Sequence, residues 1–507
     1  MNQAASMRAL GLAIFFASSF ALAVGPAGAQ QPSGTPRLQA QAEQIVGAVG
    51  GGWSVMAWSI DRNEALFAIH PHQIMVPASN NKIFTSIWAL AALGPEHRFH
   101  TDLLITGSVD GDGVLQGDVV LRGSGDPGFG YPGFTPDPMV PLRKMARRLR
   151  EHGVRAVEGR VVGDGSVFDT TLVGPAWPND TGGGSAAYAP RVSGLAFQRN
   201  LLWIQLEPTR PGEPARVHLH PAVEEIPVVS TARTGGGRAW AVRHANNDTI
   251  QVRGAVAGLG SHRYGVGVAD PAVLAAGALR RALLEAGISV PGPAVRGRAP
   301  RHATLLHRHV SLPLKTLIPK LNQESDNFFA EHLFKATIAH QAGLGSYERG
   351  GPASAVFFHE RAGIPFGEMY QADGSGLSSH NRASANSLVR ALVYAHEASW
   401  SDLFHESLAV AGQRGGTLSR MFTNTAAAGN LHAKTGFIRG VRGLSGYVRT
   451  RDGQLVAFSF LYNGSSTSGS RAVEQQLGAL LANDPPSAPV VAEAGAGAGR
   501  RPVAQRP

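Results

Sequence analysis

Alternating apolar and polar residues predict strands towards both ends of the chain. The stretch "GWSVMAWSID" alternates in this way, and "RNEALFAIHP" after it predicts a hairpin partner. The next run, "KIFTSIWALAALG", has the apolar spacing of a helix that stops at Gly94 and Pro95. Further along, "HAKTGFIRGVRGLSGYVRTRDGQLVAFSFLYNG" predicts more strands, and residues 470–482 predict a last helix. The first and last strands could therefore share one sheet, with the residues between them as an insertion.

The region between these ends is rich in predicted strands. Residues 99–168 are expected to be mostly strand, with turns at "DGDG" and "GSGDPG" and one helix over "PLRKMARRLREHG". Residues 174–194 are rich in Gly, Pro and Asn and predict irregular structure. Residues 200–257 predict short strands joined by turns.

Helical patterns follow this region. The stretch "ADPAVLAAGALRRALLEAGI" predicts a helix with Asp270 as its N-cap, Pro271 in its first turn and Gly287 as its stop. The stretch "LPLKTLIPKLNQESDNFFAEHLFKATIAH" is expected to be helical up to and through Ser325. Residues 385–420 are also expected to be helical.

Length and terminal segments indicate a secreted globular protein with more than one folding unit. The chain has 507 residues, which is too long for one ordinary hydrophobic core. Its hydrophobic content of 43% is typical of a globular protein. Arg8, the apolar run after it and the small residues "AGA" predict a signal peptide over residues 1–29, cleaved before Gln30. An uncleaved anchor is the alternative. Residues 485–507 are low in complexity and are expected to be disordered.

Charge and cysteine content exclude some classes of function. The formal net charge is +10, but the basic residues are scattered, without a dense run or interleaved aromatics, which argues against a nucleic-acid partner. Such a charge also suits an anionic lipid surface or an anionic wall polymer, so peripheral association with either stays open. The absence of cysteine excludes disulfides, iron–sulfur clusters and cysteine-based zinc sites.

One short stretch places polar residues directly before the first predicted helix. In "VPASNNKIFTSIWALAALG", Ser79 and Lys82 are three residues apart, so a helix places both on one face. Ser79 is then either a bare helix cap beside an exposed lysine, or a nucleophile beside its base. The rest of the chain has to separate these two interpretations.

Two further tripeptides with catalytic residue types accompany this pair: Ser325-Asp326-Asn327 and Lys434-Thr435-Gly436. Other catalytic signatures are missing, since the chain has no Gly-x-Ser-x-Gly, no His-Glu-x-x-His and no Walker loop. Each tripeptide alone is weak evidence. Together with the first pair, in this order and at element boundaries, they resemble the motif set of penicillin-binding proteins and class A β-lactamases.

This resemblance assigns catalytic roles. Ser79, at a helix N-terminus, would be the nucleophile, and Lys82 would take its proton. Lys82 can do so only if its pKa falls, which burial beside a second cation, Lys434, would achieve. Ser325 would relay a proton to the leaving amine.

The remaining motif residues would bind substrate. Asn327 would hold the substrate amide, and Lys434 with Thr435 would bind a terminal carboxylate. After Gly436, the strand continues to Phe437, whose backbone N–H would form the oxyanion hole together with the N–H of the nucleophile. If the motifs were coincidental, both lysines would be solvated and the asparagine would be an ordinary helix residue.

The spacing of the motifs narrows the family. Ser79 and Ser325 are 246 residues apart, far more than in a class A β-lactamase, and Ser325 and Lys434 are 109 apart. This arrangement is similar to that of the penicillin-binding protein 4 type of D-Ala-D-Ala carboxypeptidase, peptidase family S13. The resemblance extends over residues 40–480 and is carried by "VPASNNKIFTS", "LRGSGDPGF", "GPAWPND", "QESDNFFAEHL", "ADGSGLSSHN" and "AKTGFIRGVRGLSGYV".

The resemblance implies a fold. An α/β (α+β) domain of the transpeptidase and β-lactamase type, with an antiparallel sheet flanked by helices, would carry all three motifs. Two nested β-rich domains would be inserted between the first and second motifs. The expected segments are 30–97 and 300–484 for the catalytic domain, 98–195 and 263–299 for the first inserted domain, and 196–262 for the second.

The resemblance also implies a function. The enzyme would remove the terminal D-Ala from peptidoglycan stem peptides, and cut cross-links, in the periplasm or cell wall. An acyl-enzyme on Ser79 would form and then be hydrolysed, without a metal or organic cofactor, and β-lactam antibiotics would acylate the same serine. Two alternatives stay open: an enzyme that hydrolyses β-lactams, and a catalytically idle wall-binding protein.

Three positions bear on substrate recognition. Asp180 matches a position that in some relatives holds the amino group of diaminopimelate, although an Asx-turn would explain it equally well. Ser379 stands where relatives often have an arginine for the side-chain carboxylate, a role that nearby His380 or Arg382 would have to take. Phe437 stands where relatives usually have Thr or Ser, so a hydroxyl is lost.

Overall fold

A computed structural model describes residues 36–182, 184–244, 248–257 and 262–484. The predicted signal peptide and C-terminal tail lie outside these residues. The helices are α1 (Pro36–Gly47), α2 (Asn81–Leu93), α3 (Val140–Glu151), α4 (Pro271–Glu285), α5 (Leu314–Asn322), α6 (Asn327–Ala342), α7 (Tyr347–Ala362), α8 (Ala385–Glu397), α9 (Ser401–Ser407) and α10 (Ser470–Ala482).

The strands are short in the middle of the chain and longest near its C-terminal end. They are β1 (Gly52–Ser59), β2 (Glu64–Ile69), β3 (His100–Ile105), β4 (Val114–Leu115), β5 (Val119–Gly123), β6 (Ala156–Val157), β7 (Val161–Asp164), β8 (Leu201–Glu207), β9 (Arg216–His220), β10 (Val228–Ser230), β11 (Arg233–Thr234), β12 (Trp240–Arg243), β13 (Ile250–Arg253), β14 (Ala255–Val256), β15 (His262–Gly267), β16 (Ala294–Arg296), β17 (Thr304–Val310), β18 (Met369–Tyr370), β19 (Arg382–Ala383), β20 (Ala409–Val410), β21 (His432–Ile438), β22 (Val441–Arg449) and β23 (Leu455–Asn463).

The first and last strands share one sheet, as the sequence suggested. Its order is β2-β1-β23-β22-β21-β20, and every neighbouring pair is antiparallel. Alternate residues of β23 face opposite layers: Phe458 and Phe460 pack with α1 and α10, whereas Ala457 and Leu461 pack with α2 and α8. The sheet is therefore covered by helices on both faces, in the predicted α/β arrangement.

The region between α2 and α5 forms sheets of its own. A five-stranded sheet has the order β16-β7-β5-β3-β17, and smaller sheets have the orders β15-β8-β9, β10-β13-β12 and β11-β14. Buried residues of these strands and of α3 and α4 make one large apolar core, and Leu104, Val120 and Val162 form a small separate cluster. These sheets lie between the first and second motifs, which agrees with an insertion there. Its division into two domains at the predicted boundaries stays a prediction.

Several predicted helices have the expected bounds. The helix α2 ends at Gly94, and α10 covers residues 470–482. At the start of α4, the Asp270 side chain accepts hydrogen bonds from the backbone N–H groups of Ala272 and Val273, as its predicted N-cap role requires. Among the described residues, no helix combines the length and the apolar character needed to cross a membrane.

Two helical predictions were wrong. The chain is not helical through Ser325, because α5 ends at Asn322 and α6 begins at Asn327; Ser325 has a φ of +60°, which no right-handed helix contains. Nor does helix continue to residue 420, since α9 ends at Ser407 and a short strand follows. Left-handed glycines after that strand, such as Gly412 with a φ of +72°, exclude a helix there.

Candidate active site

Ser79 lies in a single 3-10 turn, Ala78–Asn80, that leads directly into α2. Two glycines allow other elements to pack against this turn. A Cβ on Gly436 would lie 2.6 Å from the side-chain Nδ2 of Asn80, and a Cβ on Gly376 would lie 1.9 Å from the backbone carbonyl oxygen of Ala78. The strand β21 and the loop around Gly376 therefore approach the serine from two sides, and any side chain at either glycine would hold them away.

Lys82 lies one turn after Ser79 and is fully buried. Its Nζ is 2.8 Å from Ser79 Oγ, 2.7 Å from Asn327 Oδ1 and 2.6 Å from the Ser375 carbonyl oxygen. The last two atoms can only accept hydrogen bonds, so a neutral amine would donate both of its protons to them. Its lone pair would then face the Ser79 hydroxyl. This is the geometry of a base beside a nucleophile and excludes the exposed-lysine interpretation.

Burial makes the neutral form of Lys82 more accessible than that of an exposed lysine. Burial lowers its pKa to about 8, although the carboxylates of Asp373, Glu331 and Asp326 oppose this shift. Lys434 is also fully buried, and burial together with repulsion from Lys82 holds its pKa well below the usual value. The predicted pair of buried lysines is therefore present. Burial is the main cause of both shifts, and repulsion between the two lysines adds to the shift of Lys434.

Lys434 lies on β21 and reaches the second motif. Its Nζ donates to Ser325 Oγ at 2.8 Å and to the Thr435 carbonyl oxygen at 2.8 Å. Ser325 can occupy this position because the left-handed residue turns the chain between α5 and α6. The hydroxyls of Ser79 and Ser325 thus each contact one buried lysine.

Asn327 is bound to protein at both ends of its amide. Its Oδ1 accepts from Lys82, and its Nδ2 donates to the Tyr188 carbonyl oxygen at 2.9 Å. Tyr188 belongs to the irregular segment that the sequence predicted over residues 174–194. The contact brings this segment of the insertion to the edge of the site. In this structure the amide orients Lys82, and the predicted contact with a substrate amide stays a prediction.

The far side of the site is the edge of β21. The strand β20 pairs only with His432 and Ala433, so the β21 residues that follow lie beyond its reach. Thr435 Oγ1 donates to Thr417 Oγ1 at 2.9 Å, and Phe437 is 62% exposed at the rim. This edge can accept an extended peptide as a further strand. Sequence reasoning missed Thr417, which has no motif around it.

Two buried carboxyl groups hold the loop that contacts Lys82. Glu331, on the buried face of α6, accepts from the backbone N–H groups of Gly374 and Ser375 at 3.0 and 2.8 Å. Asp373 accepts from four donors, the backbone N–H groups of Gly376 and Ser378 and the side chains of Asn381 and Trp177. These bonds fix the loop whose Ser375 carbonyl contacts Lys82, so the role of Asp373 here is structural.

Both supporting carboxyl groups are buried. Burial and the nearby Asp373 raise the pKa of Glu331 to about 8, and burial raises the pKa of Asp373. Sequence reasoning did not single out Glu331. Its position four residues after Asn327, on the same helix face, is the signal that could have identified it.

Of the three positions predicted to bear on substrate recognition, Phe437 is the one at the exposed rim described above. Asp180 lies in the 3-10 turn Asn179–Thr181, but its side chain is outside the part that the structure describes. Ser379 and His380 are exposed. Arg382 already donates to the carbonyl oxygens of Ser379 and Asn381, at 2.7 and 2.9 Å.

Comparisons with known proteins agree on one family. The sequence model of the D-Ala-D-Ala carboxypeptidase 3 (S13) family matches residues 37–484. A D-alanyl-D-alanine carboxypeptidase of Actinomadura sp. (strain R39) is 32% identical over 459 residues, covering 86% of this chain and 82% of the relative. A Haemophilus influenzae carboxypeptidase of the same description is 28% identical over 439 residues, covering 82% of this chain and 86% of that protein.

Solved structures give the same result. The crystal structure of penicillin binding protein 4 from Haemophilus influenzae has a TM-score of 0.73 and 26% identity, covering 86% of this chain and 98% of that one. A second structure of that protein, in complex with a β-lactam, has a TM-score of 0.69, 26% identity and the same coverage.

Proposed function

The chain belongs to the D-Ala-D-Ala carboxypeptidase 3 (S13) family, and we propose that it removes the terminal D-Ala of peptidoglycan stem peptides through an acyl-enzyme on Ser79. Membership makes it a serine-type, penicillin-binding enzyme and disfavours the two alternatives, a β-lactam hydrolase and an idle wall-binding protein. The observation that carries the proposal is the set of contacts of the buried Lys82, which direct its lone pair at the Ser79 hydroxyl.

In the proposed acylation, Ser79 Oγ attacks the carbonyl carbon of the penultimate D-Ala, and its proton passes to Lys82 Nζ. The backbone N–H groups of Ser79 and Phe437 stabilise the oxyanion. The C–N bond then breaks, and the leaving amine of the terminal D-Ala takes the hydroxyl proton of Ser325, which contacts Lys434. The proton that Lys82 received replaces it by way of Lys434, so Lys82 is neutral again before deacylation. Water afterwards hydrolyses the ester and releases the shortened peptide, and cleavage of a cross-link follows the same steps with a side-chain amine as leaving group.

Acylation is expected to become faster as pH rises through about 8. Only the neutral amine of Lys82 can take the serine proton, and its lowered pKa makes that form available at a lower pH than for an exposed lysine. The measurement is the second-order rate constant for acylation by benzylpenicillin, from about pH 6 to about pH 10. A rate that is flat over this range, or that rises only near the pKa of an exposed lysine, contradicts the assignment.

The substrate is tested with a peptide that ends in D-Ala-D-Ala. We expect one free D-Ala for each peptide cleaved, no release from the matched peptide ending in D-Ala-L-Ala, and no release after treatment with penicillin. A cross-linked muropeptide dimer in parallel measures endopeptidase activity. Steady loss of penicillin without a lasting adduct would favour a β-lactamase instead, and neither adduct nor cleavage would favour an idle wall-binding protein.

The proposed place of action is the periplasm or cell wall, where the peptidoglycan substrate lies. Secretion through the predicted signal peptide and cleavage before Gln30 remain part of this proposal.

A further inference from the structure

Three consecutive residues directly before β8 have left-handed backbone conformations, although none is glycine. Gln198, Arg199 and Asn200 have φ values of +49°, +59° and +56°. This conformation is unfavourable for any residue with a Cβ, and a run of three persists only where surrounding contacts impose it. The segment lies in the insertion, between the first and second catalytic motifs.

The two outer residues of this run are held by hydrogen bonds within the insertion. The Gln198 side chain donates to the carbonyl oxygens of Leu201 and His220, at 3.2 and 3.0 Å. The Asn200 side chain donates to the Arg191 carbonyl oxygen at 2.8 Å and accepts from the Phe197 N–H at 3.1 Å. These contacts maintain the strained turn from both sides.

The middle residue points away from the insertion to the second motif. Arg199 Nη2 is 2.9 Å from Asp326 Oδ2, in a pair whose side chains are 25% and 6% exposed. The other oxygen of the same carboxylate, Oδ1, accepts from the backbone N–H groups of Phe328 and Phe329 and so caps α6. The carboxylate therefore holds the start of α6 with one oxygen and the guanidinium with the other.

Asp326 lies between two residues of the active site. Ser325 before it contacts Lys434, and Asn327 after it contacts Lys82. If the Asp326 carboxylate turned away from the Phe328 and Phe329 N–H groups, the start of α6 would lose its cap, and the backbone of the adjoining Ser325 and Asn327 would be less firmly held. A buried carboxylate without its cation would also be poorly solvated, which favours such a movement.

We propose that Arg199 is a positioning residue for catalysis: the strained turn of the insertion holds its guanidinium on Asp326, and this ion pair sets the positions of Ser325 and Asn327. Arg199 itself touches no reacting atom. The inference rests on the proposed function, because its readout is acylation of Ser79. It gives the insertion a direct part in the geometry of the active site.

The test compares two variants that differ only in backbone strain. Arg199→Ala and Arg199→Gly both remove the guanidinium, but only glycine relieves the left-handed conformation. We expect Arg199→Gly to have the higher Tm of the two, while both acylate about 10- to 100-fold more slowly than wild type with benzylpenicillin. Arg199→Lys, which keeps a cation, should recover part of the rate.

A double-mutant cycle provides a second test. Asp326→Asn keeps an oxygen that can cap α6 but removes the charge that Arg199 contacts. Its acylation rate should fall similarly, and the double variant Arg199→Ala/Asp326→Asn should be no slower than the slower single variant. Arg281→Ala is the matched control, since its ion pair with Glu285 has the same 2.9 Å separation but lies on the outer surface of α4. That variant should acylate at the wild-type rate.

The outcomes separate the inference from the proposed function. If wild type forms no adduct on Ser79, the proposed function fails and the inference fails with it. If wild type is acylated and Arg199→Gly matches its rate, only the inference is overturned. The same conclusion follows if the rates of the Arg199 variants simply follow their Tm values, or if Arg199→Gly does not fold, because either result means a purely structural role.

Discussion

Ser79→Ala should abolish the covalent adduct with benzylpenicillin while leaving the fold intact. The substitution removes the attacking oxygen, so no acyl-enzyme can form, and for a serine enzyme such a loss is on the order of 10⁶-fold in turnover. The structural cost is small because Lys82 keeps its contacts with Asn327 and Ser375. One lost hydrogen bond corresponds to about 1 kcal/mol of unfolding free energy.

The measurement is the intact mass of the protein after incubation with penicillin, with Tm recorded in parallel. Wild type should gain the mass of one penicillin, and Ser79→Ala should gain none at a similar Tm. Ser86→Ala is the matched control, because Ser86 lies in α2, the helix that follows the turn of Ser79, and its hydroxyl donates to the carbonyl oxygens of Lys82 and Ile83. An adduct on Ser79→Ala would show that another residue is the nucleophile.

Lys82→Met should slow acylation by about 10²- to 10⁴-fold, the usual contribution of a general base. Methionine fills a similar volume but cannot take the proton of Ser79, and it leaves the acceptors on Asn327 and Ser375 without their donor. Some loss of stability is also expected, since unpaired buried acceptors are unfavourable.

The pH dependence of the acylation rate distinguishes loss of the base from a loss of stability in Lys82→Met. In Lys82→Met the residual acylation should no longer rise through about 8, the pKa of the lysine in the wild type. Lys315→Met serves as control, because Lys315 is 46% exposed in its side chain and pairs with Glu96 at the surface. If Lys82→Met kept both the rate and the rise with pH, another group would have to be the base.

The contacts around Ser79 and Lys82 explain why substitutions of these two residues are expected to have the largest effects on acylation. Lys82 touches three different segments of the chain, through Ser79, Asn327 and Ser375. Each segment is fixed by different contacts. Close packing against glycines holds the Ser79 turn, and the Asp326 cap holds the start of α6 at Asn327. Hydrogen bonds to Glu331 hold the loop of Ser375. The site is thus held in place before substrate arrives, which is what efficient stabilisation of a transition state requires.

Local sequence patterns were sufficient for most elements of the catalytic region. The apolar alternation of β1 and β23 predicted strands, and the Asp270 cap and Gly94 stop predicted helix ends, because these signals act within a few residues. The resemblance carried by the three motifs predicted five catalytic residues, and the fold brings these candidates together: Ser79, Lys82, Ser325, Asn327 and Lys434. They could be found in this way because each is a particular residue type at a fixed spacing.

Tertiary structure decided the features that depend on contacts between distant segments. Ser325 was predicted inside a continuous helix, since its neighbours have helical spacing; the packing of α5, α6 and β21 instead requires a left-handed turn that presents its hydroxyl to Lys434. Thr417 and Arg199 carry no local signal either, because their partners are distant in sequence, and Glu331 had only its helical spacing from Asn327 to mark it. The sequence by itself determined which residues could do the chemistry, and only the tertiary structure determined which of them meet, because burial and close approach depend on how the whole chain packs.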